Sequence, residues 1–174
     1  MKKQFAAMLV AALLGICAVL FADVKTDYSH STDFMKYKTY SWVKLQAGNG
    51  LWQDRIRKNV DAALQAKGWQ VSPSGGDVGV TAFGSTENQK TLQTFYDNLG
   101  GGWFWGGMDG MATTTVENTP VGTLVVDLFD THSKKLVWRG VATNTLSGDP
   151  DKNAKKLHDT VEDMFKHFPP KPKG

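Results

Sequence analysis

The stretch that most constrains this chain is Gly122–Gly140, GTLVVDLFDTHSKKLVWRG. Two runs rich in β-branched, aliphatic and aromatic residues flank a polar turn, THSKK, which is the pattern of a β-hairpin. Strand side chains alternate between faces, so Leu124, Val126 and Leu128 share one side of the first run. If Leu128 pairs with Trp138, then Leu136, Trp138, Gly140 and Ala142 fall on that same side. That register also sets Asp127 opposite Arg139, and a cross-strand ion pair favours it over a one-residue slip. Gly140, beside Trp138, leaves room for a ring or a neighbouring backbone. A face this apolar must be covered by other elements of the chain.

Two segments have the helical spacing that such a face needs. In Leu51–Lys67 the residues Trp52, Ile56, Val60, Ala63 and Leu64 share one side, with Gln53, Asp54, Arg57, Lys58 and Asp61 largely opposite. Asn49-Gly50 offers the cap. Gly68 stands where a left-handed C-cap is wanted, and Trp69 can fold back onto the last turn. The second helix starts at Asp149-Pro150: aspartate accepts the first free N–H groups, and proline suits the first helical position. Ala154, Leu157, Val161, Met164 or Phe165, and Phe168 form its stripe. Pro169-Pro170 stops it, leaving 170–174 as a flexible tail.

Val24–Tyr28 (VKTDY) and Tyr37–Val43 (YKTYSWV) have strand composition, with SHSTDFMK as a polar connection between them. A short strand at Val71 and an internal one over Val78–Ser85 follow the first helix. Residues 86–99 are open between a further strand and a short helical piece. A Gly-rich aromatic run, GGGWFWGGMDGM, then leads to a Thr-rich edge strand at Ala112–Val116, with Asn118-Thr119-Pro120 as punctuation. Two helices that each carry one apolar stripe need a sheet to cover. The expected fold is therefore α+β, a two-layer single domain over 23–169: a mostly antiparallel sheet with both amphipathic helices packed on one face.

The N-terminus, MKKQFAAMLVAALLGICAVLFA, has the layout of a secretory signal peptide over residues 1–22: a basic start, an apolar run and a small closing residue. The run is short for a membrane anchor. Cys17, the chain's one cysteine, raises a lipoprotein alternative in which processing occurs before it and the anchor is in the outer membrane. Branched Ile16 just upstream and the apolar residues after Cys17 favour cleavage after Ala22 and a soluble periplasmic or secreted product. Removal of 1–22 leaves 152 residues without cysteine, long enough for one core and lacking any disulfide framework or thiolate chemistry. Net charge falls from +3 to +1, with 18 basic against 17 acidic residues. Nothing in that balance calls for nucleic acid.

Four elements together resemble a bacterial envelope family known as domain of unknown function 4136. They are the early strand pair with YKTYSWV, the helix DRIRKNVDAALQAKGW, the block GTLVVDLFDTHSKKLVWRG, and the closing helix ending HFPP. Their order and spacing carry the match over nearly the whole processed chain. The resemblance implies a secreted or lipid-anchored α+β domain and implies no enzymatic activity. The Ile16-Cys17 context departs from the lipoprotein pattern of many relatives.

No catalytic constellation emerges from the residues. His30, His132, His158 and His167 lack paired-ligand spacing, and the His158/Glu162 and Asp163/His167 pairs read as solvated helix pairs rather than a metal site. AFGST and SGGD lack the nucleophile-elbow pattern, and the glycine run lacks the Lys-Ser/Thr ending of a phosphate loop. Asp127 has Arg139, Asp130 begins a turn and Asp109 lies among glycines, so none needs acid–base chemistry to explain it. Trp103, Phe104 and Trp105 are the local oddity. They are either rings folded onto the sheet at a hairpin tip or an exposed flap that binds a partner, a glycan or a membrane surface. Asp127, Trp138 and Arg139 are expected to be structural. The expected function is a non-catalytic binding or structural module of the envelope, with no metal or cofactor. Its partner is an unidentified envelope protein or ligand, and membrane association requires a lipidated Cys17 or an exposed aromatic insert. The alternatives are a small-molecule or lipid carrier, with its pocket between the Gly-rich insert and the helices, and an unrecognised hydrolase.

Overall fold

The alternating hairpin lies inside a six-stranded sheet in a computed structural model that describes residues 22–86 and 121–171. In chain order the elements are β1 (Asp23–Tyr28), β2 (Thr39–Gln46), α1 (Gly50–Ala66), β3 (Gln70–Val71), β4 (Val78–Ser85), β5 (Val121–Asp130), β6 (Leu136–Thr145) and α2 (Pro150–Phe165). The strand order is β1-β6-β5-β4-β2-β3. The β1–β6, β6–β5 and β5–β4 pairings are antiparallel, whereas β4–β2 and β2–β3 are parallel. The sheet is thus mixed, and the fold is α+β.

The hairpin has the register its sequence calls for at Asp127 opposite Arg139 and Leu128 opposite Trp138. A register shift between Leu128 and Phe129, however, sets Leu136 opposite Phe129, away from the helices, and Val137 joins the core in its place. The early strand pair is not a pair in space. β1 lies along β6 at one edge, while β2 lies beyond β4 near the other. The reason is the connection after β2: a helix crossing back over the sheet returns the chain parallel to it, as α1 does between β2 and β4. The polar linker before β2 also holds a 3-10 turn, Phe34–Lys36, that buries Phe34 and is capped by Asp33.

Both helices cover one face. Ile56, Val60 and Leu64 of α1 and Val161, Met164 and Phe165 of α2 join Tyr40, Val78, Val80, Val126, Leu128 and Trp138 in one core. Asn49 caps α1 through the Trp52 amide, and Asp149 caps α2 through the amides of Asp151 and Lys152. Gly68, at φ +85°, ends α1. Its amide donates to the Gln65 carbonyl and the Trp69 amide donates to that of Leu64, a Schellman ending that brings Trp69 into the core.

Beyond α2 the chain turns inward rather than away. The Phe168 ring meets Trp69, Trp138, Phe165 and Phe34 at centroid distances of 5.2, 5.4, 5.5 and 5.7 Å. The space anticipated beside Gly140 is filled by Met164 and by the Trp138 ring, with a Cβ there falling 2.5 Å from the Met164 Cγ and Sδ. The sheet's other side is buried as well at Thr81, Phe83, Val125, Asp127 and Phe129. A strand buried on both sides loses its alternation, and LVVDLF reads as a near-continuous apolar run for that reason.

Candidate functional site

Toward one end of the sheet the helix-facing positions of β4 and β5 end in glycine, and β6 has Ala142 beside them. Along β4 they run Val78, Val80, Ala82, Gly84; along β5, Leu128, Val126, Leu124, Gly122; along β6, Trp138, Gly140, Ala142, Asn144. At the other end of the sheet Leu128, Trp138 and the valines of β4 pack against α1 and α2. A cavity of about 350 Å³ lies at the glycine end, within the usual size range of ligand sites, about 300–1,000 Å³. Gly84, Gly122 and Ala142 form its floor, and Trp52, Ile56 and Leu157 from the two helices wall it. A Cβ on Gly84 would stand 2.8 Å from Ile56 Cδ1, and one on Gly122 would stand 2.9 Å from Leu146 Cδ2. The glycines therefore let Ile56 and Leu146, both lining residues, pack directly against the sheet backbone at the cavity's edge on two adjacent strands.

Most of the lining is apolar, with a few placed polar groups. Asn144 Nδ2 donates to Thr160 Oγ1 at 3.4 Å, and Lys156 Nζ donates to the Thr145 carbonyl at 2.7 Å. Asn153 clamps the loop before α2 by accepting from the Ser147 amide and donating to its carbonyl, both at 2.7 Å. Lys156 is the one charged side chain among the described lining residues. Both helices begin beside the cavity, so the positive ends of their dipoles lie at this end of the molecule.

Asp130, Asp77 and Asp61 lie outside this lining. At the far end of the sheet, buried Asp130 accepts from the Tyr37 hydroxyl at 2.7 Å, from the Ser133 amide and hydroxyl, and from the His132 amide, with Lys36 Nζ at 3.4 Å. Burial alone would raise its pKa, but the Ser133 amide, Tyr37, the Ser133 hydroxyl and Lys36 together hold the carboxyl well below the usual range. Asp77 is lowered by the amides of Lys38 and Thr39 and by the Thr39 hydroxyl. Burial and the bond to Asp130 push the Tyr37 phenol far above its ordinary value. Burial and the bond to Asp61 do the same for Tyr40. Asp61 is not a solvent-side residue as its helical position implied. Its Oδ1 accepts from the Tyr40 hydroxyl and the Trp42 Nε1, each at 2.8 Å, because the flank of α1 borders β2. These aspartates each satisfy buried or backbone donors, which is a structural duty.

Asp127 and Arg139 form a two-point ion pair, Nε to Oδ1 at 2.7 Å and Nη2 to Oδ2 at 2.8 Å, on the sheet face away from the helices. Trp138 packs on the helix side against Phe165 and Phe168. His158, Asp159 and Glu162 bring ligand-type atoms within 4.8 Å of one another on exposed α2. Asn59 engages His158, Lys155 engages Asp159, and Glu162 lies 3.4 Å from His158. Trp103, Phe104, Trp105, Cys17, Asp109, the 86–99 alternatives from residue 87 onward, the edge strand at 112–116, the turn at 118–120 and all but one residue of the signal segment lie outside the described residues. No helix among the described residues is long and apolar enough to cross a membrane. The sequence places a candidate pocket between the Gly-rich insert and the helices, and the insert lies outside the described residues. The β4, β5 and β6 side of the cavity is not anticipated there, although the terminal glycines of Val-Val-Ala-Gly and Leu-Val-Leu-Gly are its signal.

The family model described as a domain of unknown function, DUF4136, matches residues 24–170. The chain belongs to the DUF4136 family. A crystal structure of a DUF4136 family protein from Bacteroides thetaiotaomicron is similar to it, with 18% identity and a TM-score of 0.57, covering 85% of this chain and 96% of that one. A PDZ domain protein from Parabacteroides distasonis is similar over 88% of this chain but only 36% of its own length, with 15% identity and a TM-score of 0.59. A minor lipoprotein from Acinetobacter baumannii is a more distant likeness, with 11% identity and a TM-score of 0.34, over 76% of this chain and 92% of that one; it carries no argument about this chain. No curated protein matches the sequence. At these identities the DUF4136 likeness establishes the fold and leaves the activity to be argued from the cavity.

Proposed function

We propose that this chain is an exported, non-catalytic binding module of the bacterial cell envelope that holds a small, largely apolar ligand in the cavity between α1, α2 and the sheet. One observation carries the reading: the described lining combines apolar walls with amides, hydroxyls and one ammonium, while Asp61, Asp127 and Asp130 are committed elsewhere. That composition favours holding a molecule over transforming it, since among the described lining residues no carboxylate, histidine or thiol stands beside Lys156 to activate a substrate. The basic, then apolar N-terminus supports export, and the near-neutral processed chain gives no electrostatic footing for nucleic acid.

Purification of the processed protein from its native envelope, followed by mass spectrometry of denatured and native samples, tests this. The expected result is a co-purifying small molecule that is lost in Leu157→Trp, a variant that fills the cavity from α2. An empty wild-type protein that also gains no thermal stability from an envelope extract would overturn the proposal. Recovery of the protein in the cytoplasmic fraction would overturn the location.

A further inference from the structure

We infer that the cavity's ligand is a single-chain amphiphile bearing a carboxylate, of about the size of a medium-chain fatty acid, with its chain between the helices and its carboxylate on Lys156. The inference rests on the binding reading above and names the class of ligand. Three observations lead to it.

The first is shape. About 350 Å³ is near the small end of ligand sites, which suits one short chain better than a two-chain lipid. The second is the distribution of chemistry. The floor of Gly84, Gly122, Leu124 and Ala142 and the walls of Trp52, Ile56 and Leu157 offer a chain nothing to hydrogen-bond and no reason to stay in water. The third is charge. Lys156 is the one ionised lining side chain among the described residues. Its ammonium carries three donors, of which the Thr145 carbonyl takes one at 2.7 Å. That contact holds the nitrogen in place while leaving it able to donate to an anion. Two helix N-termini add positive potential on the same side, although Asn49 and Asp149 already occupy several of their free N–H groups. A cationic headgroup would meet an ammonium with no carboxylate among the described lining residues to balance it.

The test compares decanoate, 1-decanol and decyltrimethylammonium by isothermal titration calorimetry on the processed full chain. It uses wild type, Lys156→Gln and Leu157→Trp, each first shown to be folded by circular dichroism and thermal melting. Wild type is expected to prefer decanoate over decanol by about tenfold, equivalent to about 1.4 kcal/mol. Lys156→Gln should abolish that preference and leave decanol affinity unchanged, while Leu157→Trp should weaken both. Added salt should weaken decanoate alone, since it screens a partly exposed ion pair. Equal binding of decanoate and decanol, insensitive to Lys156→Gln, would overturn the headgroup assignment and leave the cavity reading standing. Tighter binding of decyltrimethylammonium would overturn it as well. Binding by none of the three probes would overturn the chain-in-cavity inference, and the co-purification experiment would then decide the broader reading separately.

Discussion

Phe168 is the residue whose truncation tests the packing account most severely. It follows the last helical turn and precedes two prolines, a position where a chain end commonly frays. Here it is 3% exposed and touches four other rings at centroid separations of 5.2 to 5.7 Å. Those rings come from the 3-10 turn before β2, the end of α1, β6 and α2, so Phe168 joins four parts of the chain that are distant in sequence. Core Phe→Ala changes cost about 3–5 kcal/mol. Four edge-on ring contacts, each worth about 0.5–1.5 kcal/mol beyond area, place Phe168→Ala at the upper end, about 4–5 kcal/mol. Phe168→Leu keeps most of the bulk and should cost about 1–2 kcal/mol. Urea unfolding followed by Trp fluorescence reads both through the midpoint at constant slope. In a domain of this size about 4 kcal/mol lowers Tm by about 8–16 °C. A Phe168→Ala variant within about 1 kcal/mol of wild type, or indistinguishable from Phe168→Leu, would refute the view that this ring closes the core.

Gly140→Ala should destabilise by about 1–3 kcal/mol in the same assay, because the added Cβ falls 2.5 Å from Met164 and 2.7 Å from the Trp138 ring. Most of that cost should disappear when it is measured in a Met164→Ala background. Asp127→Ala removes both bonds to Arg139 and should cost about 3–5 kcal/mol in urea unfolding, whereas a change under about 1 kcal/mol would mean that the pair is screened. Asp130 has a depressed folded-state pKa, so its contribution is complete above the unfolded carboxyl value of about 3.9 and is lost as pH falls below it. Stability measured from pH 6 down to pH 2 should therefore fall less steeply for Asp130→Asn than for wild type; parallel curves would show that Asp130 is not linked to folding.

The parts of this protein legible from sequence are those decided over a few residues. Helix spans follow from three- and four-residue spacing with Asn49, Gly68 and Asp149 at the ends. The hairpin register follows from alternation together with the Asp127–Arg139 pair, which are 12 positions apart and joined by a short turn. The residues also carried the family resemblance, through four elements in order.

Tertiary structure decided whatever depended on which surfaces meet. β1 and β2 are neighbours in sequence, yet they lie near opposite edges of the sheet because strand pairing is settled by the crossover of α1 and the placement of β6. The Tyr37–Asp130 bond spans 93 positions and the Thr39–Asp77 bond spans 38, so neither leaves a local trace. The cavity is the clearest case. Gly84, Gly122 and Ala142 on β4, β5 and β6 are unremarkable alone, and space appears only where they come together beneath two helices held up by larger neighbours. Periodicity records which side of an element is apolar. A void depends on what stands across from that side, and only the assembled layers supply it.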